Sequence, residues 1–181
     1  MDYAYFAGGC FWCIAPLFAD IPGVKGIASG YSGGDEENPT YSDVKRQLTG
    51  HRETVRLEYD EHEVSFEELL NVFLSCINPF DGGGQCIDRG HSYTCAVYYT
   101  RQAEADSARR ALSELEKNTG RAACVSIEQF KTFYTAEEYH QDYWKKHPEE
   151  FMHEITSSGR MDAACPYSAR IKHILSSGKE A

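Results

Sequence analysis

The segment from Tyr3 to Ala19 constrains this chain most, because it compresses a strand, a turn and a helix start around a cysteine. Tyr3-Ala4-Tyr5-Phe6-Ala7 is aromatic and apolar enough to be a short buried strand, and Gly8-Gly9 supplies a turn. Pro16 lacks an N–H and is tolerated only in a first helical turn, so the helix opening through Ile14-Ala15-Pro16-Leu17-Phe18-Ala19 starts near Trp12 or Cys13. Cys10 then lies just ahead of a helix N-terminus. Free backbone N–H groups and the positive end of the helix dipole favour a thiolate there, lowering a cysteine pKa from about 8.5 toward about 3.5–7.5. With Cys13 following Phe11 and Trp12, the layout points to chemistry at sulfur.

Length and composition bound the rest. At 181 residues and 41% hydrophobic content, the chain can bury one substantial core and is short for two. A formal net charge of -10 argues against a nucleic-acid partner or an anionic membrane surface, both of which call for clustered Lys and Arg. No charged-then-apolar leader opens the sequence, and no apolar run approaches the roughly 18 residues of a membrane span. Seven cysteines, an odd number without framework spacing, fit a reducing compartment. The expectation is a cytoplasmic protein, with no membrane or nucleic-acid partner. Cys76, Cys95 and Cys124 lie in apolar stretches and read as small buried hydrophobes.

Along the chain, Val24 to Tyr31 reads as a strand, and His51 to Tyr59 as another with a useful parity. Val55, Leu57 and Tyr59 share one face, Thr54, Arg56 and Glu58 the other, and Glu53 belongs to the apolar set. A carboxylate at the head of a strand and on its inward face is partly desolvated, which makes it a candidate general acid as well as a candidate ion-pair partner. Ser65-Phe66-Glu67-Glu68 is a capping box for a helix ended by Asn78-Pro79. The long loop from Phe80 to Ser92 leads into a strand from Tyr93 to Tyr99, then an amphipathic helix from Arg101 to Asn118 and a strand from Ala122 to Ile127. Thr135-Ala136-Glu137-Glu138 predicts a further capped helix through Tyr139, Tyr143 and Trp144 that Pro148 ends. Residues 149–181 lose the pattern and read as a coil tail lying on residues 1–148, with room for a short helix near Ala169 to Leu175. The order of elements predicts an α+β fold: a mixed, mostly antiparallel sheet with packed helices, in a two-layer sandwich with a ferredoxin-like core.

Cys-x-x-Cys beside a strand and helix suits thiol–disulfide exchange, but it stands at the very start of the chain rather than after a first βα unit. Metal binding lacks a second Cys-x-x-Cys or a His-x-x-x-His to complete four ligands. A peptide-binding module with exposed aromatics leaves the activated thiol unexplained.

A further reading rests on resemblance. Gly8-Gly9-Cys10-Phe11-Trp12, Gly30-Tyr31-Ser32-Gly33-Gly34, Asn38-Pro39-Thr40-Tyr41, Thr49-Gly50-His51-Arg52-Glu53 and Asp88-Arg89-Gly90-His91-Ser92-Tyr93 closely resemble the signature segments of the type A peptide methionine sulfoxide reductases. Phe133 to Gln141 extends the likeness more loosely. The resemblance implies that Cys10 is the nucleophile and Glu53 the acid that protonates the sulfoxide oxygen. Tyr41 and Tyr93 would donate hydrogen bonds to that oxygen, Phe11 and Trp12 would wall an apolar pocket for the S-methyl group, and Asp88 would orient substrate. The family acts on the S epimer of methionine sulfoxide, free and in oxidised proteins and peptides, without metal or cofactor, using thioredoxin or another thiol reductant such as glutaredoxin.

In one respect the chain departs from many family members, which carry Gly where this one has Cys13 and keep recycling cysteines in a glycine-rich tail. The candidates to resolve a Cys10 sulfenic acid are Cys13 first, for its Cys-x-x-Cys spacing, then Cys165 on the tail and Cys86 on the loop before Asp88. Ser158-Gly159-Arg160 marks the subclass with Gly-Cys-Phe-Trp-Cys that this chain resembles.

Overall fold

Alternation along the third strand organises the molecule, because burying Glu53, Val55, Leu57 and Tyr59 together commits one face of a sheet to a helical layer. The computed structural model describes residues 1–161 and 166–177. The chain runs through β1 (Asp2–Gly8), α1 (Phe11–Ile14) with a 3-10 turn (Ala15–Phe18), β2 (Val24–Ser32), α2 (Tyr41–Lys45), β3 (Arg52–Tyr59) and α3 (Phe66–Cys76). It continues through the short strands β4 (Gly84–Gln85) and β5 (Asp88–Arg89), then β6 (Cys95–Tyr99), α4 (Gln102–Thr119), β7 (Ser126–Gln129) and β8 (Phe133–Thr135). Three helices follow: α5 (Tyr143–Lys146), α6 (Pro148–Ser157) and α7 (Pro166–Ser177).

The main sheet has the order β7-β6-β1-β3-β2-β8, antiparallel at every junction except β6 with β7. Its centre, β6-β1-β3-β2 with α1 and α3 as crossovers, is the expected ferredoxin-like arrangement. Phe6, Val55 and Leu57 from the sheet meet Leu17, Phe18, Leu69, Leu70 and Phe73 in one core, and Phe6 stacks on Phe73 at 4.8 Å. Each such side chain contributes about 1.5–3 kcal/mol by leaving water. The opposite face carries a smaller cluster of Tyr5, Ala7, Ala96 and Tyr98, against Phe130 and Phe133.

The capping box before α3 forms as read: Ser65 Oγ accepts from the Glu68 N–H, and the Glu68 carboxylate accepts from the Ser65 N–H. Gly120 closes α4 in the left-handed conformation. Other expectations are revised. Thr135 ends strand β8 instead of capping a helix, and Glu138–His140 is a single 3-10 turn, because Gln141 is bonded to Ser29 of β2 and Glu137 accepts from the Tyr31 hydroxyl and the Tyr41 N–H. The Gln141 amide donates to the Ser29 carbonyl and accepts from the Ser29 N–H, both at 2.9 Å, continuing the pairing of β8 with β2. The strand expected from Ala122 lies at Ser126–Gln129, and Cys124 is exposed.

The coil tail is also revised. α5 ends at Lys146 ahead of Pro148, as expected, but Pro148 also stands in the first turn of α6, where its missing N–H has no intrahelical partner to lose, and Pro166 likewise opens α7. Phe151 and Ile155 of α6 and Tyr167 and Ile171 of α7 reach the core. Arg170 fastens α7 to the first crossover, donating to the Leu17 carbonyl at 2.9 Å and to the Asp20 carboxylate. Among the described residues, no helix is long and apolar enough to cross a membrane.

Candidate active site

Antiparallel pairing of β1 with β3 brings the end of one strand beside the beginning of the other, and the site forms at that sheet end. Gly9, at φ 85°, turns the chain out of β1; a side chain there would meet Gln85 at 2.8 Å. Cys10 follows as the residue before α1, 8% exposed, and Glu53 lies 2% exposed at the head of β3. The Phe11 N–H donates to Glu53 Oε2 at 2.9 Å, so one peptide unit joins the thiol to the carboxyl. Burial pushes the Glu53 pKa up to about 8, and the single Phe11 N–H only partly offsets it. Glu53 is therefore largely protonated at neutral pH, as the strand parity suggested.

Cys10 differs from expectation in its protonation. The helix it precedes is one turn long, and the Phe11 N–H is already committed to Glu53. Cys10 hydrogen-bonds to Cys13, and that bond together with burial holds the Cys10 thiol well above its ordinary value. The same bond, aided by the Arg160 guanidinium, lowers Cys13 against the cost of its burial. Of the two thiols, Cys13 is therefore the easier to ionise.

Arg160 comes from the segment after α6, 2% exposed, and donates from Nη2 to Asp88 Oδ2 at 3.3 Å. Its guanidinium lies 5.8 Å from the Tyr167 ring centre, and the Tyr167 hydroxyl donates to the Cys13 carbonyl at 3.0 Å. The chain expected to be a passive tail closes one side of the thiol pair.

Phe11 and Trp12 build the other side. Phe11 is buried, whereas Trp12 is partly exposed, stacked on Tyr143 at 3.8 Å with 6° between planes. The indole Nε1–H donates to His140 Nδ1 at 3.1 Å. His140 is buried, which pulls its pKa down to about 4 and keeps the ring neutral. Behind it, Glu137 accepts from the Tyr31 hydroxyl at 2.7 Å and the Tyr41 N–H at 2.9 Å. Burial opposes ionisation of Glu137, but these donors and its own N–H overcome it and hold the carboxyl below its ordinary value.

Tyr41 opens α2 behind the Thr40 cap, and its ring lies 6.4 Å from that of Phe11. Tyr93 sits in a 3-10 turn (His91–Tyr93) ahead of β6, not in the strand itself. Burial and the nearby Glu53 raise both phenols far above their ordinary value, so each keeps its proton. Asp88 is on β5, turned toward Arg160. Cys86 is exposed at the β4–β5 turn with φ 51°. Cys165 lies outside the described residues. Among the described residues no three His, Cys, Asp or Glu side chains gather in a metal-ligating group.

Compared with known proteins, residues 2–168 match the family described as peptide methionine sulfoxide reductase. A curated relative, peptide methionine sulfoxide reductase MsrA of Bacillus licheniformis, is 42% identical over 165 residues, covering 88% of this chain and 89% of the relative. The chain belongs to this family. Among solved members, methionine sulfoxide reductase A of Corynebacterium diphtheriae aligns with a TM-score of 0.74 at 28% identity, covering 81% of this chain and 75% of that one. Mxr1 of Saccharomyces cerevisiae, in reduced form, aligns with a TM-score of 0.77 at 25% identity, covering 92% and 90%. Mxr1 has also been solved in complex with Trx2; at 18% identity and a TM-score of 0.55, that chain shows the fold alone.

For a peptide methionine sulfoxide reductase, the sequence named the residues of the N-terminal motifs and missed those that support them. Arg160 was legible only as part of Ser158-Gly159-Arg160, and Tyr31 only as part of Gly30 to Gly34. Glu137 and His140 stand in the Phe133 to Gln141 stretch, where Glu137 reads as part of a capping box and nothing singles out His140.

Proposed function

We propose that this reductase takes methionine S-sulfoxide, free or in oxidised proteins, with its methyl group against Phe11 and Trp12 and its oxygen facing Glu53, Tyr41 and Tyr93. The observation that carries the reading is the buried Glu53 carboxyl tied through the Phe11 amide to Cys10, since burial favours its protonated form and a sulfoxide oxygen leaves only once protonated. Cys10 sulfur attacks the substrate sulfur and passes its proton to Cys13, while Glu53 gives its own to the oxygen. The substrate S–O bond breaks as the bond between the two sulfurs forms, the freed oxygen adds to the Cys10 sulfur as hydroxyl while that S–S bond breaks, methionine leaves with its sulfur reduced by two electrons, and Cys10 is left as the sulfenic acid, oxidised by the same two. Tyr41 and Tyr93 stabilise charge on the oxygen, and Asp88 orients substrate while paired with Arg160.

Cys13 then attacks the Cys10 sulfenic acid, forming the disulfide and expelling water. A thioredoxin dithiol reduces the disulfide, a donor supported by the yeast Mxr1 solved together with Trx2, and glutaredoxin is the alternative thiol donor. Residues 1–148 carry the reacting groups, α6, Arg160 and α7 pack on them, and the acidic chain works in the cytoplasm. Neither metal nor cofactor enters these steps. In a single turnover without reductant, Cys10→Ser is expected to form no methionine, whereas the native enzyme forms one equivalent and a Cys10–Cys13 bridge visible by peptide mass spectrometry. Methionine from Cys10→Ser would overturn the nucleophile, and a bridge from Cys10 to Cys165 or Cys86 would overturn the resolving residue.

A further inference from the structure

The aromatic wall is held from behind by two residues that touch neither Cys10 nor Glu53. The His140 ring is within packing distance of Phe11 at 4.9 Å, Trp12 at 5.4 Å and Tyr41 at 4.4 Å between ring centres, so one imidazole backs three residues of the proposed pocket. Because Nδ1 accepts the indole N–H, its proton must sit on Nε2. Nε2 has no hydrogen-bond partner and faces Glu137 Oε2 at 3.8 Å, an electrostatic rather than a hydrogen-bonded distance. The same carboxylate takes the backbone N–H of Tyr41.

We propose that Glu137 and His140 are a positioning pair for the methyl-sulfoxide pocket, His140 fixing the Trp12 indole by its Nδ1 acceptor and Glu137 fixing both the His140 tautomer and the Tyr41 main chain. The proposal rests on the reading that Trp12 and Tyr41 face substrate. It gives the Glu137-x-x-His140 spacing a purpose in specificity: a neutral acceptor orients the indole and keeps the Glu137 charge one side chain back from the apolar wall. An imidazolium would carry protons on both nitrogens and lose the indole bond.

The test compares His140→Phe, which keeps the ring but has no acceptor, with His140→Asn, whose Oδ1 stands close to the position of Nδ1. Trp12→Ala serves as the reference, and N-acetylmethionine S-sulfoxide as the probe. His140→Phe is expected to raise KM about tenfold, the equivalent of one buried hydrogen bond. Its single-turnover rate at saturation, and the fall of that rate near the Glu53 pKa, should stay as in the native enzyme. His140→Asn should recover most of the KM. An unchanged KM in His140→Phe while Trp12→Ala raises it sinks the positioning pair alone; an unchanged KM in Trp12→Ala sinks the pocket reading beneath it. Trp12 fluorescence gives a readout independent of activity. The chain has 2 tryptophans, so a Trp144→Phe background isolates it, and His140→Phe should shift its emission whereas His140→Asn should not. If His140→Phe fails to fold, Glu137→Gln carries the same comparison, and no change in KM or Trp12 emission there overturns the proposal.

Discussion

Glu53 and Glu137 flank the same aromatic cluster and end in opposite protonation states. Glu53 is 2% exposed and receives the Phe11 N–H; Glu137 has a side chain 36% exposed and receives Tyr31, Tyr41 and its own N–H. Desolvation dominates where donors are scarce and loses where they are plentiful, so one carboxyl is held ready to release a proton and the other is fixed as an anchor. What separates acid from anchor is the deeper burial of Glu53 together with the smaller number of N–H and O–H groups the fold aims at it.

Removing the acid should give the largest effect. Glu53→Gln is expected to slow single-turnover methionine formation by about 10²–10⁴-fold, the usual worth of a general acid, with little change in KM. The native rate should fall as pH rises through about 8, where Glu53 loses its proton, and Glu53→Gln should lose that limb. A variant that retained it would transfer the titration to another group. The stability of the native protein carries the same signature. The folded Glu53 pKa lies above its ordinary value of 4.5, so its contribution to stability is fully present below 4.5 and is lost as pH rises toward about 8. Urea denaturation across that window should show a decline that Glu53→Gln lacks.

On the anchor side the effect should be smaller and of a different kind. Glu137→Gln leaves too few acceptors for its donors and should raise KM by about tenfold while keeping the pH limb near 8. A shift of that limb would show that the two carboxyls are not separable. The smallest change is a control outside the site: Ser65→Ala should cost about 1 kcal/mol of unfolding free energy through the lost α3 cap, with KM and pH profile untouched.

How legible each feature was follows from the range of the forces that made it. The α3 cap and the β3 parity depend on residues a few positions apart, and both could be read directly. Glu53 was legible because its inward placement is a matter of strand period, and its protonation follows from burial. Glu137 was not, since the bonds that turn its segment from helix to 3-10 turn come from Tyr31 and Tyr41, about a hundred residues away along the chain. The tail was misread through Pro148 and Pro166, residues that stop a helix or start one depending on which side packs. Phe151 with Ile155, and Tyr167 with Ile171, carried the helical spacing that decides it. The Cys10 ionisation was misread because the sequence of a helix start shows neither the thiol's hydrogen bond to Cys13 nor its burial, which together outweigh a one-turn helix.

The register of β3 has a consequence for folding fidelity. Glu53 stands opposite Tyr31, and Val55 opposite both Phe6 and Ser29. A slip of one residue would send Thr54, Arg56 and Glu58 into the helical layer and turn Glu53 onto the opposite face, away from Cys10, with Val55, Leu57 and Tyr59. No alternative pairing can therefore keep the core and lose only the acid. A misregistered molecule would be unstable as well as inactive, so every folded copy emerges with its proton donor already in place, and the catalytic carboxyl doubles as a checksum on the sheet.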